Sequence, residues 1–288
     1  MRAVRILPEI IMRRLRRGNP CSGMKYIQSR DNPFFKELAK LAGPARQRAK
    51  TEQTFLDGTH LLAAYLDSGK QPQHILLNEA ALHNAEITAL LERAAGVPVT
   101  QLDDKLFAQL SELKTPTGIL AVIGIPQPPV TQTNFALLLE DIQDPGNLGS
   151  ILRSAAAAGC DAVFLSAGCA DAWSPKVLRA AMGGHFALAI HERQDLPEVA
   201  KAFCGQPPGG LPAGILLAAS LQARCSLYDC DLRGKVAFLV GNEGAGLSAG
   251  LLDVATQTIV IPMRGKIESL NAATATAICL FEAARQRM

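Results

Sequence analysis

The chain has 288 residues, of which 48% are hydrophobic and 19% charged, and its formal net charge is +3. This composition is typical of globular domains and excludes a disordered, collagen-like or coiled-coil protein. No stretch reaches the ~18 unbroken apolar residues that a transmembrane helix needs, so we expect no membrane association. A chain of this length buries about three quarters of its unfolded surface and needs no disulfide or metal to hold its core.

The charge is distributed unevenly. Residues 1–23 contain six arginines and one glutamate, a balance of +5, which leaves −2 for the rest of the chain. This Arg-rich extension is compatible with an RNA-contacting arm, an organelle-type targeting peptide, or an upstream start codon that makes Met24 the true beginning. We expect the extension to be disordered, and we expect a protein that starts at Met24 to keep its activity.

The cysteines and histidines show no ligand pattern. Seven cysteines, at positions 21, 160, 169, 204, 225, 230 and 279, include no C-x-x-C pair. Their odd number favours reduced thiols in a cytoplasmic protein over a disulfide framework. The five histidines lack metal-ligand spacing, so we expect no metal site.

In chain order, the first predicted elements form a small α/β domain over residues 24–125. Asn32-Pro33 is a helix-start signal, with Phe35, Leu38, Leu41 and Ala42 on one face of the helix that follows. Apolar runs at 75–77, 97–99 and 118–125 alternate with helical patterns at 61–66, 87–94 and 105–110. Three prolines in residues 126–129 then predict a linker over 126–134, because proline is excluded from helix interiors and central strands.

A second α/β pattern fills residues 135–288. Strands are predicted at 135–139, 162–165, 186–190, 215–218, 236–240 and 258–261, and a last helix from about Ser269 to Arg287. These strands are apolar on both faces, which predicts a parallel sheet covered by helices on each side. Ligands bind beyond the carboxyl ends of such strands, so the segments that follow the strands are the candidate sites.

The first such segment follows residues 135–139. It contains Asn147, a predicted helix N-cap, and Arg153, less than two turns into the helix. From this segment alone, an ordinary cap with a surface arginine is an equal alternative.

The second segment, residues 241–247, reads G-N-E-G-A-G-L. Three glycines in six residues permit positive φ angles and close approach of a ligand to the backbone. Part of it imitates a dinucleotide fingerprint, but the next strand lacks the acid that would hold a ribose, and a fingerprint normally occupies the first βα turn. These departures disfavour a nicotinamide-dependent oxidoreductase.

The third segment begins with Pro262, which forces an abrupt exit from the preceding strand. Ser269 to Asn271 then open a helix rich in small residues, which allow tight backbone packing. Plain core packing would explain the small residues equally well.

The three segments in this order form a specific constellation. N-x-G-x-x-x-R is followed by G-N-E-G-x-G-L and by I-P-M-x-G-x-x-x-S-L-N. In these motifs the chain resembles the SpoU (TrmH-type) family of the SPOUT RNA methyltransferases, over Phe135 to Gln286. Upstream, the segments 29–33, 54–62 and 115–122 are similar to the substrate-binding domain that precedes the catalytic domain in many members.

The resemblance implies a fold and an activity. The fold is α/β: a parallel-sheet SPOUT-type catalytic domain over residues 135–288 with a C-terminal trefoil knot, preceded by a smaller α/β RNA-binding domain over 24–125. Family members work as homodimers. They transfer a methyl group from S-adenosylmethionine to a ribose 2′-hydroxyl of rRNA or tRNA, and we favour rRNA.

The resemblance also assigns roles to residues. The catalytic positions are Asn147, Arg153, Glu243, Ser269 and Asn271, and the cofactor is enclosed by the backbone at Gly241, Ile261 and Leu270. In the family, Arg153 activates the hydroxyl. A guanidinium titrates too high to act as an ordinary base. We therefore expect Arg153 to stabilise the developing oxyanion and to bind the adjacent phosphate, with Glu243 orienting Arg153 or the cofactor's surroundings.

Two further expectations concern the RNA. Residues 25–50 contain seven Lys or Arg and two acids, and within this stretch Arg46, Arg48 and Lys50 are predicted to be exposed and to contact RNA phosphates. The third motif has Ala273 where many members have serine. This difference leaves open an alternative, a catalytically silent RNA-binding or ribosome-associated protein with the same fold.

Overall fold

The computed structural model describes residues 24–128, 133–205, 214–265 and 269–288. The Arg-rich extension 1–23 and part of the predicted linker lie outside these ranges. The chain divides into two compact units. The described residues up to Pro126, together with Trp173–Arg179, form the first unit, and the remaining residues form the second.

The first unit contains a five-stranded mixed sheet of order β1-β4-β3-β5-β2. Its strands are β1 (Lys25–Ile27), β2 (Gln53–Asp57), β3 (His74–Leu77), β4 (Val99–Leu102) and β5 (Ile119–Gly124). Strands β1, β4 and β3 are parallel, whereas β5 runs antiparallel to both β3 and β2. The helices are α1 (Pro33–Ala42), α2 (Ala45–Thr51), α3 (Thr59–Asp67), α4 (Ala85–Arg93) and α5 (Asp104–Leu110).

Helix α1 forms as its sequence predicts. The Asn32 side chain caps it by accepting hydrogen bonds from the Phe34 and Phe35 amides, and Pro33 occupies the first turn. Phe35, Leu38 and Leu41 are buried against the sheet, and each contributes about 1.5–3 kcal/mol of hydrophobic stabilisation. The strand predicted at 97–99 instead starts at Val99, because Pro98 has no N–H to donate to a neighbouring strand.

The second unit contains a seven-stranded sheet of order β10-β12-β9-β11-β6-β7-β8, in which every pairing is parallel. Its strands are β6 (Phe135–Leu139), β7 (Ala162–Leu165), β8 (Ala189–His191), β9 (Ile215–Ala219), β10 (Cys225–Ser226), β11 (Val236–Val240) and β12 (Gln257–Val260). The helices of this half of the chain are α6 (Pro145–Ala157), α7 (Pro175–Ala181), α8 (Leu196–Cys204), α9 (Ala249–Val254) and α10 (Ala272–Arg287). The predicted α/β class and parallel sheet are confirmed. The knot stays a prediction.

Two predicted elements of this unit were placed wrongly. The strand expected at 186–190 is a 3₁₀ turn, Gly184–Ala187, followed by β8, because Gly183 has a left-handed φ of 89° that breaks the extended chain. The last helix begins at Ala272 and not at Ser269, because Asn271 caps it. Within the described ranges, no helix has the length and apolarity needed to cross a membrane.

Candidate active site

The candidate site lies at the carboxyl ends of the central strands of the second unit. Strand β11 pairs with β6 on one side and β9 on the other, and β9 also pairs with β12. The segments that follow β6, β9, β11 and β12 therefore leave the sheet side by side. All three motif segments start at this edge, where open parallel sheets bind their ligands.

The first motif segment differs from its prediction at the helix start. The N-cap of α6 is Asp144, whose Oδ1 accepts a hydrogen bond from the Asn147 amide at 2.7 Å. Pro145 occupies the first turn, where its fixed φ suits the helix and its missing N–H costs nothing. The prediction that Asn147 is the cap was therefore wrong. Since Asp144 does the capping, the Asn147 side chain is available for other contacts.

Asn147 joins the three motif segments. Its Nδ2 donates to Glu243 Oε1 at 2.7 Å, and its Oδ1 accepts from Asn271 Nδ2 at 2.9 Å. Asn271 Oδ1 in turn accepts from the Ala273 and Thr274 amides as the cap of α10. The cap fixes which end of the Asn271 amide donates, and this fixes the direction of the Asn147 amide. The chain of hydrogen bonds ends on a carboxylate, which accepts only.

The other two predicted catalytic residues, Arg153 and Ser269, are not part of this chain of hydrogen bonds. Glu243 Oε1 accepts from Asn147, and the expectation that Glu243 orients Arg153 or the cofactor's surroundings stays a prediction. Arg153 and Ser269 are exposed, and their side chains make no hydrogen bond or ion pair with any residue that the structure describes. Arg153 lies six residues after Asn147 in α6, about 9 Å along the helix axis. Its guanidinium is therefore available to a ligand.

Two residues at the site were missed by the sequence analysis. Asn242 organises the glycine loop: its Oδ1 accepts from the Gly244 and Ala245 amides at 2.9 and 3.0 Å, and its Nδ2 donates to Asp141 O at 2.9 Å. Gly184 packs beside Arg153, and an added Cβ there would lie 3.2 Å from Arg153 Cα. An Asn that precedes two turn residues is a recognisable Asx-turn signal. The Gly184 packing has no local signal.

The residues predicted to enclose the cofactor have main-chain donors available. Gly241, Ile261 and Leu270 are half-buried, and their N–H groups find no hydrogen-bond partner among the described residues. Partly buried amides without partners are suited to ligand acceptors, such as adenine nitrogens or a carboxylate. A side chain at Gly241 would overlap the main chain of Gly246 and Leu247, so the tight loop requires glycine there. These features fit S-adenosylmethionine.

The predicted RNA contacts of the first unit are only partly exposed. Arg46, Arg48 and Lys50 lie on helix α2, where an exposed connection was expected. Arg46 and Lys50 are exposed, whereas Arg48 is buried, with 6% of its surface accessible. Arg48 Nη1 donates to Gly43 O at 2.7 Å and to Leu41 O at 3.4 Å, the carbonyls at the end of α1. Arg48 is therefore a structural residue, because a helix leaves its last carbonyls without intrahelical partners.

The cysteines and acids are also potential metal ligands. The six described cysteines are free thiols. No group of three His, Cys, Asp or Glu side chains in the described ranges is arranged to hold a metal ion.

Comparisons with known proteins are consistent across both units. Residues 134–281 match the model of the SpoU rRNA Methylase family, and residues 32–121 match the MRM3-like substrate binding domain. The chain is 35% identical to an uncharacterised tRNA/rRNA methyltransferase from Synechocystis, covering 92% of this chain and 96% of the relative.

Two further relatives have more specific names. The 23S rRNA (guanosine(2553)-2′-O)-methyltransferase RlmP of Bacillus subtilis is 34% identical over 90% of this chain and 98% of the relative. The crystal structure of the SpoU methyltransferase AviRb from Streptomyces viridochromogenes, in complex with AdoMet, superposes with a TM-score of 0.79. The two are 28% identical, and the match covers 89% of this chain and 98% of that structure.

Proposed function

Because the chain belongs to the SpoU rRNA methylase family, we propose that it transfers the methyl group of S-adenosylmethionine to a ribose 2′-hydroxyl of ribosomal RNA. The enzyme is an RNA ribose 2′-O-methyltransferase, and its cofactor is S-adenosylmethionine. The choice of ribosomal RNA is supported by the relatives named as 23S rRNA 2′-O-methyltransferases. The observation that carries the proposal is the hydrogen-bonded Asn271–Asn147–Glu243 chain, together with an exposed Arg153 whose side chain has no hydrogen bond or ion pair among the described residues.

Bound S-adenosylmethionine supplies an electrophilic methyl group, so the protein must position the hydroxyl in line with that methyl and assist loss of its proton. Arg153 suits the first task. Its guanidinium stays charged and presents a planar set of donors to an oxyanion and to a neighbouring phosphate. Since the guanidinium cannot serve as a base, Arg153 stabilises the developing oxyanion, and the RNA phosphate that it holds relays the proton to solvent.

The Asn147 chain positions the carboxylate of Glu243. Only Oε1 of Glu243 is occupied within the described residues, which leaves Oε2 able to accept from the ribose hydroxyl or from Arg153. The exposed hydroxyl of Ser269 lies two residues before Asn271, and we assign it to the same substrate pocket. The backbone amide of Ala273 donates to Asn271 Oδ1, and this contact does not depend on the side chain at position 273. The missing serine hydroxyl therefore leaves the Asn271–Asn147–Glu243 hydrogen bonds intact and does not favour a catalytically silent protein.

The domain organisation follows from the proposed function. We assign residues 24–125 to RNA binding, 126–134 to a linker and 135–288 to methyl transfer. The match of residues 32–121 to a substrate binding domain supports the first assignment. The exposed Arg46 and Lys50 are proposed to contact phosphates, and Arg48 is removed from that set.

The proposal also includes the oligomeric state and the cellular compartment of the enzyme. We infer that the enzyme works as a homodimer, as the family resemblance implies, and we assign Phe281 on α10, with 49% of its surface exposed, to the interface. The free thiols of the six described cysteines support a reducing compartment, the cytoplasm.

The proposal is tested with Arg153→Lys. Lysine keeps the positive charge but loses the planar fork, so we expect methyl transfer to ribosomal RNA to fall about a hundredfold or more, with S-adenosylmethionine affinity unchanged. Transfer of tritiated methyl groups and calorimetric titration of the cofactor measure the two quantities. The matched control is Arg179→Lys, on helix α7. Near-normal transfer by folded Arg153→Lys would refute the role of Arg153, and a wild-type protein that binds cofactor but methylates no RNA would refute the function.

A further inference from the structure

A groove on the first unit lies between α1 and α5, is lined mainly by the basic stretch of residues 25–50, and is separate from Arg46 and Lys50. It is an open depression with a volume of about 640 Å³. The wall contains three cationic side chains, Arg30, Lys36 and Lys40, with the amide of Gln109 from α5. The apolar part of the lining comes from Pro33, Phe35 and Ala39. The carboxylates of Asp31 and Glu37 also line the groove, which therefore combines three cations and two acids with an apolar surface.

The three cations differ in how they are engaged. Lys36 Nζ lies 2.9 Å from Asp31 Oδ1, and Lys40 Nζ lies 2.9 Å from Glu37 Oε1. Both pairs are exposed, with 55% and 58% of the lysine side chains accessible, and exposed ion pairs contribute little to stability. Arg30 has no ion pair among the described residues. A phosphate can thus recruit all three cations at small cost.

The N-terminus of α1 is not the anion site. Asn32 already occupies the Phe34 and Phe35 amides, so an anion in the groove must be bound by side chains. Gln109 Nε2 donates to Lys105 O at 2.7 Å, while its Oε1 has no partner in the described part of the chain. An amide oxygen beside an apolar wall is suited to the amino or imino groups of a base.

We propose that this groove binds one unpaired nucleotide of the RNA substrate. Arg30, Lys36 and Lys40 hold its phosphate and the neighbouring phosphates of the strand, and its base lies against Pro33 and Ala39 with its edge toward Gln109. An unpaired nucleotide fits better than a duplex, because a groove bounded by two helices admits a single splayed base, whereas a duplex presents only its backbone. The inference rests on the proposed RNA methyltransferase function and names the part of the RNA that the first unit recognises.

Charge-neutralising variants of the full chain test the phosphate contacts. The probe is a short fluorescent single-stranded RNA of mixed sequence, measured by anisotropy over a range of salt concentrations. Arg30→Ala/Lys36→Ala/Lys40→Ala should weaken binding at least tenfold and lower the salt slope by about 2, since each phosphate contact on a single strand contributes about 0.7. The control Lys70→Ala/Arg93→Ala/Lys114→Ala removes the same charge elsewhere on the first unit and should change both quantities much less.

Two further variants test the groove. One removes negative charge and should tighten RNA binding, and the other changes the shape of the groove without changing its charge. Asp31→Asn/Glu37→Gln frees the two lysines from competing carboxylates and should tighten single-strand binding several-fold. Ala39→Leu keeps a good helix former but fills the groove, so it should weaken single-strand binding several-fold without changing the salt slope. Binding of the same strand annealed to its complement should not respond to Ala39→Leu.

The outcomes separate this proposal from the proposed function. If the groove and control triple variants lost RNA affinity equally, the groove cations would contribute only general electrostatic attraction, and the proposal would be overturned. Unchanged binding by folded Ala39→Leu would overturn the base contact. Cofactor affinity and thermal unfolding of each variant confirm that the fold is intact. A wild-type protein that binds RNA through the groove but transfers no methyl group would refute the proposed function and would still support RNA binding by the groove.

Discussion

Asn147 connects segments of the second unit that are far apart in the chain. It contacts Glu243, 96 positions away, and Asn271, 124 positions away. An amide is suited to this position because it donates at one end and accepts at the other. A residue with only acceptors cannot satisfy both neighbours. The identity of one side chain therefore determines whether the three motif segments meet.

Asn147→Asp tests this bridge through its pH dependence. The substitution places two carboxylates where the 2.7 Å contact to Glu243 now stands, and like charges at that distance cannot both ionise without strong repulsion. At neutral pH we expect methyl transfer to fall by at least tenfold, a barrier increase of about 1.4 kcal/mol. As the pH falls, one proton shared between the carboxyl groups restores a hydrogen bond, so the activity relative to wild type rises.

The measurement is methyl transfer by Asn147→Asp and wild type between neutral and mildly acidic pH. Ser150→Asp, at an exposed position on the same helix, adds the same charge and should give a ratio that is independent of pH. A constant ratio for Asn147→Asp would show that the Glu243 contact does not govern activity.

At the level of elements, the loop between β11 and α9 is a compact turn built on backbone contacts. Asn242 N donates to Gly246 O at 3.1 Å and Gly246 N donates to Asn242 O at 2.9 Å. Gly246 has a left-handed φ of 71°, which glycine adopts without strain. Gly241 lies against the main chain of Gly246, so the loop has no space for a side chain at its start.

Gly241→Ala should therefore damage the cofactor site. The added Cβ meets backbone atoms, which cannot move aside as a flexible side chain does. We expect S-adenosylmethionine affinity to fall at least tenfold and the free energy of unfolding to fall by about 1–3 kcal/mol. Calorimetry and thermal unfolding measure the two effects. Gly250→Ala in α9 meets no atom within 4 Å and should stabilise the protein by about 0.5–1 kcal/mol with normal cofactor affinity. Similar cofactor affinity in both variants would contradict the argument.

Helix α2 carries one structural and one exposed arginine, Arg48 and Arg46. Arg48→Ala removes hydrogen bonds to carbonyls at the end of α1, and hydrogen bonds to charged groups contribute about 1.5–3 kcal/mol each. Arg46→Ala removes an exposed side chain and should change stability by less than about 0.5 kcal/mol. We expect denaturant unfolding to show a lower free energy of unfolding for Arg48→Ala but not for Arg46→Ala. We expect RNA titration to show a lower affinity for Arg46→Ala. The reverse pattern would contradict these assignments.

At the level of the whole molecule, the proposed homodimer is tested through α10. This helix is capped by Asn271, which belongs to the hydrogen-bonded chain of the site, and it carries the exposed Phe281. Sedimentation should give twice the 30.6 kDa mass of one chain. Phe281→Glu introduces a charge that an apolar interface cannot accommodate, so it should shift the protein toward monomer. Leu252→Glu, at another exposed apolar residue of the second unit, is the control. A wild-type monomer would refute the dimer.

The amino-acid sequence is sufficient to predict the elements that depend on local interactions. Strands β6, β7 and β11 occupy the predicted residues, because runs apolar on both faces are stable only inside a covered parallel sheet. Helix α1 begins at its predicted cap, because an Asn side chain satisfies amides two and three residues away. The order of three motifs also identified the family, since each motif is read within one continuous segment.

The tertiary structure decided which side chains meet. The capping of α6 by Asp144 freed Asn147 for Glu243 and Asn271, and Arg48 turned inward to the end of α1. Local patterns leave such contacts open, since Asn is a good cap wherever it precedes a helix and arginine is usually exposed. The partners of Asn147 are set by the strand order, which brings the ends of β6, β11 and β12 to one edge of the sheet. The separation of these residues along the sequence does not indicate that they are close in space, so their contacts are seen only in the folded chain.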